Sequence, residues 1–208
     1  PDQATPITVN FEFFRIGAPD TEAPATVATL APAAPDGDDG WYTSAPTLTL
    51  STEAGATTQY KLGDGAFQAY DGPVTFGQDG TTTVTYRSAD AAGNREADKS
   101  LTVKLDTTDP TSTASLDPAQ PGPGGTYDGP VQVSLAGADA AGGSGLDAVE
   151  YRLDGGAWTT YASPVTVSGE GEHTLEHRAA DKAGNQGETG SVSVKVEPSP
   201  RLLFASIV

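Results

Sequence analysis

Two short loops carry oxygen ligands of the kind that a metal ion requires. They read DAAGN and DKAGN, and each places an Asp four positions before an Asn, as Asp90 with Asn94 and Asp181 with Asn185. Calcium takes about 6–8 oxygen ligands, so one carboxylate and one amide fall short. Asp caps backbone N–H groups, and Gly and Asn suit turns. Both loops are therefore predicted to be hairpin turns that hold no metal.

Two histidines lie four positions apart, at His173 and His177. On a helix this spacing would suit zinc. The surrounding residues alternate as in a strand, where the two side chains would lie about 13 Å apart at about 3.3 Å per residue. Zinc–nitrogen bonds are only about 2.0–2.1 Å long, so we expect no shared zinc. We expect His177 to be partly buried, because its counterpart in an internal repeat is Tyr86.

Aromatic rings are the remaining candidates for a binding site, because an exposed ring can stack on a sugar. The candidate residues are Trp41, Tyr42, Tyr127, Trp158 and Tyr161. Trp158 has an aromatic counterpart, Phe67, and an aromatic present in both copies favours a core position. Trp41 and Tyr42 are less well matched, so they are the better candidates for an exposed patch.

No motif for catalysis is recognisable. The chain has no Cys, and it contains neither a GxSxG elbow nor a glycine loop with the lysine of a phosphate cradle. Acidic residues are plentiful, yet none belongs to a recognisable catalytic motif. We therefore expect a non-enzymatic protein without a cofactor.

Composition limits the partners and the architecture. A net charge of −17 disfavours binding to nucleic acid and to anionic membranes, and no run approaches the roughly 18–20 apolar residues that span a bilayer. The 25 Gly and 16 Pro argue against long helices. An apolar fraction of 36% is low for one deep core and suits small sandwiches.

An internal repeat organises the chain. Residues 60–94 and 151–185 align without a gap, so matching positions such as Tyr60 and Tyr151 are 91 apart. The linkers that open the copies, DTEAP at 20–24 and DTTDP at 106–110, are only 86 apart. The second copy therefore carries five more residues, which we place in the Gly-rich segment 137–148.

Alternating apolar and polar residues predict about seven short strands in each copy. The dipeptides Asp64-Gly65 and Gly155-Gly156 are typical of hairpin turns. The predicted fold is all-β, with two tandem immunoglobulin-like β-sandwiches joined by a short Thr/Pro/Asp linker. The inward positions are expected to be Leu48, Leu50, Val84, Tyr86, Leu101, Val103, Leu105, Val131, Val133, Leu135, Val192, Val194 and Val196.

The expected domains follow from the linkers. We assign 20–105 and 106–197 to the two immunoglobulin-like domains. We interpret 1–19 as the terminal strand of a preceding β-module or an N-terminal extension. We interpret 198–208 as a tail or the start of a further segment.

Several of these runs resemble a known class. YRLDGGAW at 151–158, PVTV at 164–167 and EGEHTLEHRAADKAGN at 170–185 resemble bacterial immunoglobulin-like repeats of secreted multimodular proteins. Many such proteins act on polysaccharides, and their repeats accompany catalytic and carbohydrate-binding modules. FEFFRIGAPDTEAP at 11–24 resembles the end of a concanavalin-like jelly-roll module.

Three functions remain open on this basis. The first is a structural spacer in a secreted polysaccharide-active protein, the second is the stalk of a surface adhesin, and the third is a carbohydrate-binding module. The resemblance implies a secreted or cell-surface location. The expected partners are neighbouring modules of the same polypeptide, with a polysaccharide as a further candidate, and the chain is expected to be monomeric.

Overall fold

The structure, a computed structural model, describes residues 18–197. Residues 1–17 of the predicted terminal strand or extension, and the whole of the predicted tail or further segment at 198–208, lie outside the described residues. All regular structure described is β-strand, which confirms the all-β prediction. The strands are β1 Val27–Ala31, β2 Thr47–Ser51, β3 Thr57–Leu62, β4 Gln68–Ala69, β5 Val74–Thr75, β6 Gly80–Ala89, β7 Lys99–Leu105, β8 Thr111–Asp117, β9 Val131–Ala138, β10 Leu146–Leu153, β11 Thr159–Thr160, β12 Val165–Val167, β13 Gly171–Asp181 and β14 Gly190–Val196.

The first seven strands form one β-sandwich, the first module. One sheet has the order β1-β2-β5 and the other β4-β3-β6-β7, with antiparallel pairing. Strand β6 shows why the sequence folds this way, because Val84 and Tyr86 point inward while Thr83 and Thr85 point outward. The core contains Tyr42, Leu48, Leu50, Phe76, Val84, Tyr86, Val103 and Leu105.

The last seven strands repeat this arrangement in the second module. Its sheets have the orders β12-β9-β8 and β11-β10-β13-β14. Fully burying one Leu or Val side chain contributes about 1.5–3 kcal/mol, so each module has a substantial core of its own. The core contains Tyr127, Val131, Val133, Leu135, Val149, Val167, Leu175, Val194 and Val196.

The predicted inward positions are confirmed, with Leu101 and Val192 partly buried at the margins of the two cores. Hairpin turns form after β3 and after β10, but each is centred one residue earlier than predicted. The central residues are Gly63-Asp64 and Asp154-Gly155 in place of Asp64-Gly65 and Gly155-Gly156. Gly63 adopts φ 52°, and Asp154 and Gly155 adopt φ 52° and 71°, the left-handed region that tight turns require. The extra residues of the second copy lengthen β9 and β10 and form the turn between them.

No helix within residues 18–197 is long and apolar enough to cross a membrane.

Candidate functional site

The DAAGN and DKAGN loops form the turns that the sequence predicts. In the first, the Asp90 carboxylate accepts hydrogen bonds from the Asn94 backbone N–H and side-chain amide, both at 2.8 Å. The hydrogen bond from the Asn94 side-chain amide is the main reason that the pKa of Asp90 lies below its ordinary value. Asp181 and Asn185 repeat both bonds at 2.9 Å. The prediction that the loops hold no metal stays a prediction.

Each loop also fastens the linker that enters its own module. The Asn185 amide donates to the main-chain carbonyl of Asp106 at 3.0 Å, and the Asn94 amide donates to that of Asp20 at 3.1 Å. The Asn of each loop therefore closes the turn and holds the chain where it enters the sandwich. This second bond accounts for the presence of the same Asn in both copies.

A dense set of hydrogen bonds, the joint, connects the end of the first module to the start of the second. On the first-module side, the Asp79 carboxylate accepts from the Thr107 N–H at 2.9 Å, the Thr107 hydroxyl at 3.0 Å and the Thr108 hydroxyl at 2.6 Å. Burial raises the pKa of Asp79, whereas the bonds from Thr108 and Thr107 lower it, and the net shift is downward. A charged Asp79 therefore suits the joint.

The second module holds the same linker from the other side. Asp106 is 0% exposed, and its carboxylate accepts from the Ser144 N–H at 2.6 Å. The loop after β1 adds a backbone bond between modules, from the Asp38 N–H to the Ala183 carbonyl at 2.8 Å. Ala183 is fully buried, whereas its counterpart Ala92 is exposed, so the contact covers the second loop alone.

Three carboxylates meet in this joint. Oxygens of Asp106, Asp139 and Asp181 lie within 4.8 Å of one another, and Asp106 and Asp181 are buried. This is the ligand type and spacing that suits a hard divalent cation, although calcium takes about 6–8 oxygens. The three side chains also accept backbone or amide hydrogen bonds, as Asp139 does from the Ala140 and Gly145 N–H groups at 2.7 Å. Sequence reasoning missed this cluster because it paired Asp181 only with Asn185.

Two of the predicted sugar-stacking residues lie in the cores. Tyr42 is 3% exposed and Tyr127 is 5% exposed, so the prediction of an exposed patch is wrong for both rings. The physical reason is that each Tyr pairs with the last strand of its module. The Tyr42 N–H donates to the Lys104 carbonyl and the Tyr127 N–H to the Lys195 carbonyl, both at 2.8 Å. Of the other candidates, Trp41 is partly exposed and Tyr161 packs against the second core.

Trp158 and its counterpart Phe67 do not belong to either core, contrary to expectation. Both rings lie half-buried against the four-stranded sheets, where cationic side chains cover them. The Arg152 and Arg178 guanidinium carbons lie 4.8 and 4.2 Å from the Trp158 ring centre. The Arg87 carbon lies 3.5 Å from that of Phe67. Cation–π contacts of this kind stabilise by about 0.5–1 kcal/mol at exposed sites.

The two histidines serve separate structural roles. His177 is 5% exposed and shares a 2.7 Å hydrogen bond between its Nδ1 and the Ser112 hydroxyl, and burial lowers its pKa. His173 lies 2.8 Å from the Asp154 carboxylate, and this bond raises the pKa of His173. His177 takes the position of Tyr86, as expected, and is more completely buried than the partial burial that the sequence predicts.

One groove lies on the first module. Its volume is about 830 Å³, and it runs beside β3, β6 and the segment after β5. Lys61, Thr83 and Thr85 line one side, and Phe76 and Asp64 contribute elsewhere.

The strand pairing defines the class of fold as two immunoglobulin-like β-sandwiches in tandem. No protein-family model and no curated protein matches the sequence. Among solved structures, the chain is similar to the fibronectin(III)-like modules of Clostridium thermocellum CbhA. The identity is 13% and the TM-score 0.35, over 83% of this chain and 95% of that chain.

Two further solved structures are similar to the chain. A cytokine receptor complex shares 19% identity with a TM-score of 0.30, over 74% of this chain and 91% of that chain. The D00-D0 domain of intimin shares 13% identity with a TM-score of 0.32, over 81% of this chain and 99% of that chain.

Proposed function

We propose that the two modules are a non-catalytic spacer in a secreted multimodular protein, held end to end by the joint. The observation that carries this proposal is the bonding of the linker. Strand β7 ends at Leu105 and β8 begins at Thr111. Between them, Asp106, Thr107 and Thr108 all bond to one module or the other.

The energy of these contacts is sufficient to restrict a hinge. A single hydrogen bond contributes about 0.5–1.5 kcal/mol, and bonds to charged groups contribute about 1.5–3 kcal/mol. The linker also contains Pro110, which is fully buried and fixes its own φ. A flexible linker would leave such groups in water, whereas these residues are bonded on both sides. A restricted joint suits a region that sets the separation between its neighbours.

The parent protein is proposed to be polysaccharide-active, in line with the resemblance of the repeats, and to be secreted or displayed at the cell surface. The partners are then the neighbouring modules of the same polypeptide, with the chain itself monomeric. Binding of a neutral polysaccharide is a second candidate, favoured by the partial exposure of Trp41. It would need Trp41 to act without Tyr42, since the latter is buried.

The joint can be tested by pulsed electron–electron spin resonance. Spin labels at Gln68→Cys and Thr159→Cys occupy matching exposed positions on β4 and β11, and the chain has no Cys of its own. We expect a narrow distance distribution that broadens in Asp79→Ala, which removes three acceptor bonds at once.

The matched control is Glu53→Ala, in the turn between β2 and β3 at the opposite end of the first module, and it should leave the distribution unchanged. A broad distribution in the unmodified joint would contradict the spacer proposal. A narrow distribution that Asp79→Ala fails to broaden would also contradict the proposal, because the hydrogen bonds of the joint would then not restrict the hinge.

A further inference from the structure

The outer faces of the two four-stranded sheets differ in one systematic way. In the second module, three cations each lie directly opposite a glutamate on the neighbouring strand. The pairs are Arg152 with Glu176, Arg178 with Glu150, and Lys195 with Glu172. The first two form ion pairs with N–O distances of 2.7 and 2.8 Å. The bond with Glu176 raises the pKa of Arg152, and the reciprocal bond lowers that of Glu176.

The first module keeps all three cations and none of the three glutamates. The cations lie 91 positions earlier, and the residues opposite them are neutral. The pairs there are Lys61 with Thr85, Arg87 with Gln59, and Lys104 with Thr81. The two faces therefore match in their positive residues and differ in their negative ones.

The remaining contacts of these cations leave the face positively charged. Arg87 donates to the neutral Gln59 amide oxygen at 3.2 Å and lies 3.4 Å from Asp98, which also pairs with Arg95 at 3.1 Å. Lys104 donates to a main-chain carbonyl at 3.1 Å, which neutralises no charge.

Lys61 borders the 830 Å³ groove together with one carboxylate, Asp64. The face therefore carries an excess of positive charge on a chain whose net charge is −17.

We propose that this outer face of the first module, the cationic face, binds an acidic polysaccharide. The sugar carboxylates would lie at Lys61 and Lys104. Arg87, whose side chain packs on the Phe67 ring and is 18% exposed, would add positive charge to the face. Thr81 and Thr85 lie four residues apart on β6, so the cations opposite them are spaced over about 13 Å along the strand. This span suits a chain that carries one carboxylate per sugar.

The hydroxyls between the cations favour a sugar over an acidic peptide. Thr81, Thr83 and Thr85 follow one another along the outer side of β6 and offer donors and acceptors to sugar hydroxyls. Extended peptides instead draw affinity from main-chain pairing at a sheet edge, and β6 lies inside its sheet between β3 and β7. The proposal does not depend on the spacer function, because it concerns one face of one module.

Affinity electrophoresis of the full chain in gels that contain polygalacturonate tests the proposal. The decisive variant is Gln59→Glu with Thr85→Glu, which installs the ion pairs of the second module. We expect the dissociation constant to rise about tenfold, because two of the three cations would then face a carboxylate on the neighbouring strand. The matched control, Thr49→Glu with Thr113→Glu, adds the same charge at exposed positions of the other sheets and should preserve retardation.

The reverse exchange provides a second test. Glu150→Gln with Glu176→Thr should create another binding face and increase retardation. Rising salt should weaken binding, because exposed charges are screened over about 8–10 Å at physiological ionic strength.

Absence of retardation, or equal retardation of the decisive variant and its control, would overturn the proposal. Stronger retardation by polyglutamate than by polygalacturonate would assign the face to an acidic polypeptide and would also overturn it. Thermal unfolding of each variant confirms that folding is intact.

Discussion

Replacement of Leu175 by alanine tests whether each module is stabilised by its own core. Leu175 on β13 is 0% exposed and packs among residues of the second module alone. Leu-to-Ala changes in such positions cost about 2.7–5 kcal/mol, as the transfer energy of the lost atoms and the cavity both contribute. We expect a loss of about 3 kcal/mol in the second module. The matched variant is Val84→Ala, because Val84 occupies the same position in the first module and is also 0% exposed.

The expected change in melting temperature follows from module size. For a domain of 60–100 residues, 1 kcal/mol shifts Tm by about 4–8 °C. Leu175→Ala should therefore lower the Tm of the second module by about 12–24 °C. The first module should change little, since its core does not include Leu175.

The two tryptophans allow each module to be followed separately. The chain has two Trp residues, Trp41 beside the first core and Trp158 on the second module. A Trp158→Phe background reports on the first module and a Trp41→Phe background on the second, by fluorescence during heating. Equal shifts of both signals after Leu175→Ala would refute the reasoning, because the two sandwiches would then unfold as one cooperative unit.

Two further predictions concern the second module. Burial lowers the pKa of His177 in the folded state. As the pH falls, the unfolded chain therefore takes up a proton at this residue before the folded chain does. The free energy of unfolding should decrease as the pH falls below about 6.5, by at most about 1.4 kcal/mol per pH unit. His173 acts in the opposite sense, because its raised pKa gives stability that is present in acid and lost as pH rises through the folded-state value. His177→Tyr, which installs the residue of the first copy, should abolish the decrease in the free energy of unfolding that begins below about pH 6.5. Urea titration at a series of pH values measures this, and an unchanged dependence on pH would contradict the role of His177. A Cβ on Gly187 would lie 2.0 Å from the Pro110 carbonyl oxygen. Gly187→Ala should therefore lower the free energy of unfolding by about 1–3 kcal/mol through overpacking, as measured by thermal unfolding. The control Gly72→Ala, whose Cβ would meet no atom within 4 Å, should leave the free energy of unfolding unchanged.

The strands were predictable from the sequence because burial alternates with a period of two along a strand when one face of its sheet is exposed to solvent and the other packs on the core. Val84 and Tyr86 on β6 show this directly, as they alternate with Thr83 and Thr85. The turns were predictable because Gly and Asp mark the tight geometry there. The ten-residue β6 and the eleven-residue β13 thus follow from local patterns alone.

The position of Tyr42 was not predictable in the same way. Matching through the linkers pairs it with Asp128, whereas both Tyr42 and Tyr127 form bridges to the last strand of their module. The two tyrosines are 85 positions apart, one fewer than the linker offset. The segment between linker and tyrosine differs by one residue between the copies, so the alignment through the linkers matched a core residue with a surface residue. Neighbouring residues of an extended chain point to opposite sides, so a shift of one position is enough for this error.

The joint lay beyond sequence reasoning for a different reason. Its carboxylates come from the linker at Asp106, the inserted turn at Asp139 and the loop at Asp181. Their proximity depends on how the second module folds, because its fold brings the linker, the turn after β9 and the loop after β13 to one end of the sandwich. The same limit applied to Trp158, whose arginine neighbours lie on two other strands.

Nitrogen-15 NMR relaxation of the intact chain in EDTA tests the central claim most directly, because it reports how each module tumbles. The hydrogen-bonded joint predicts one rotational correlation time shared by both modules, and two separate, shorter times in Asp79→Ala. Two separate times in the unmodified chain would contradict the account. A rotational correlation time that the modules share only after calcium is added would also contradict the account. In that case calcium bound at the carboxylates of Asp106, Asp139 and Asp181, and not the hydrogen bonds, would restrict the joint.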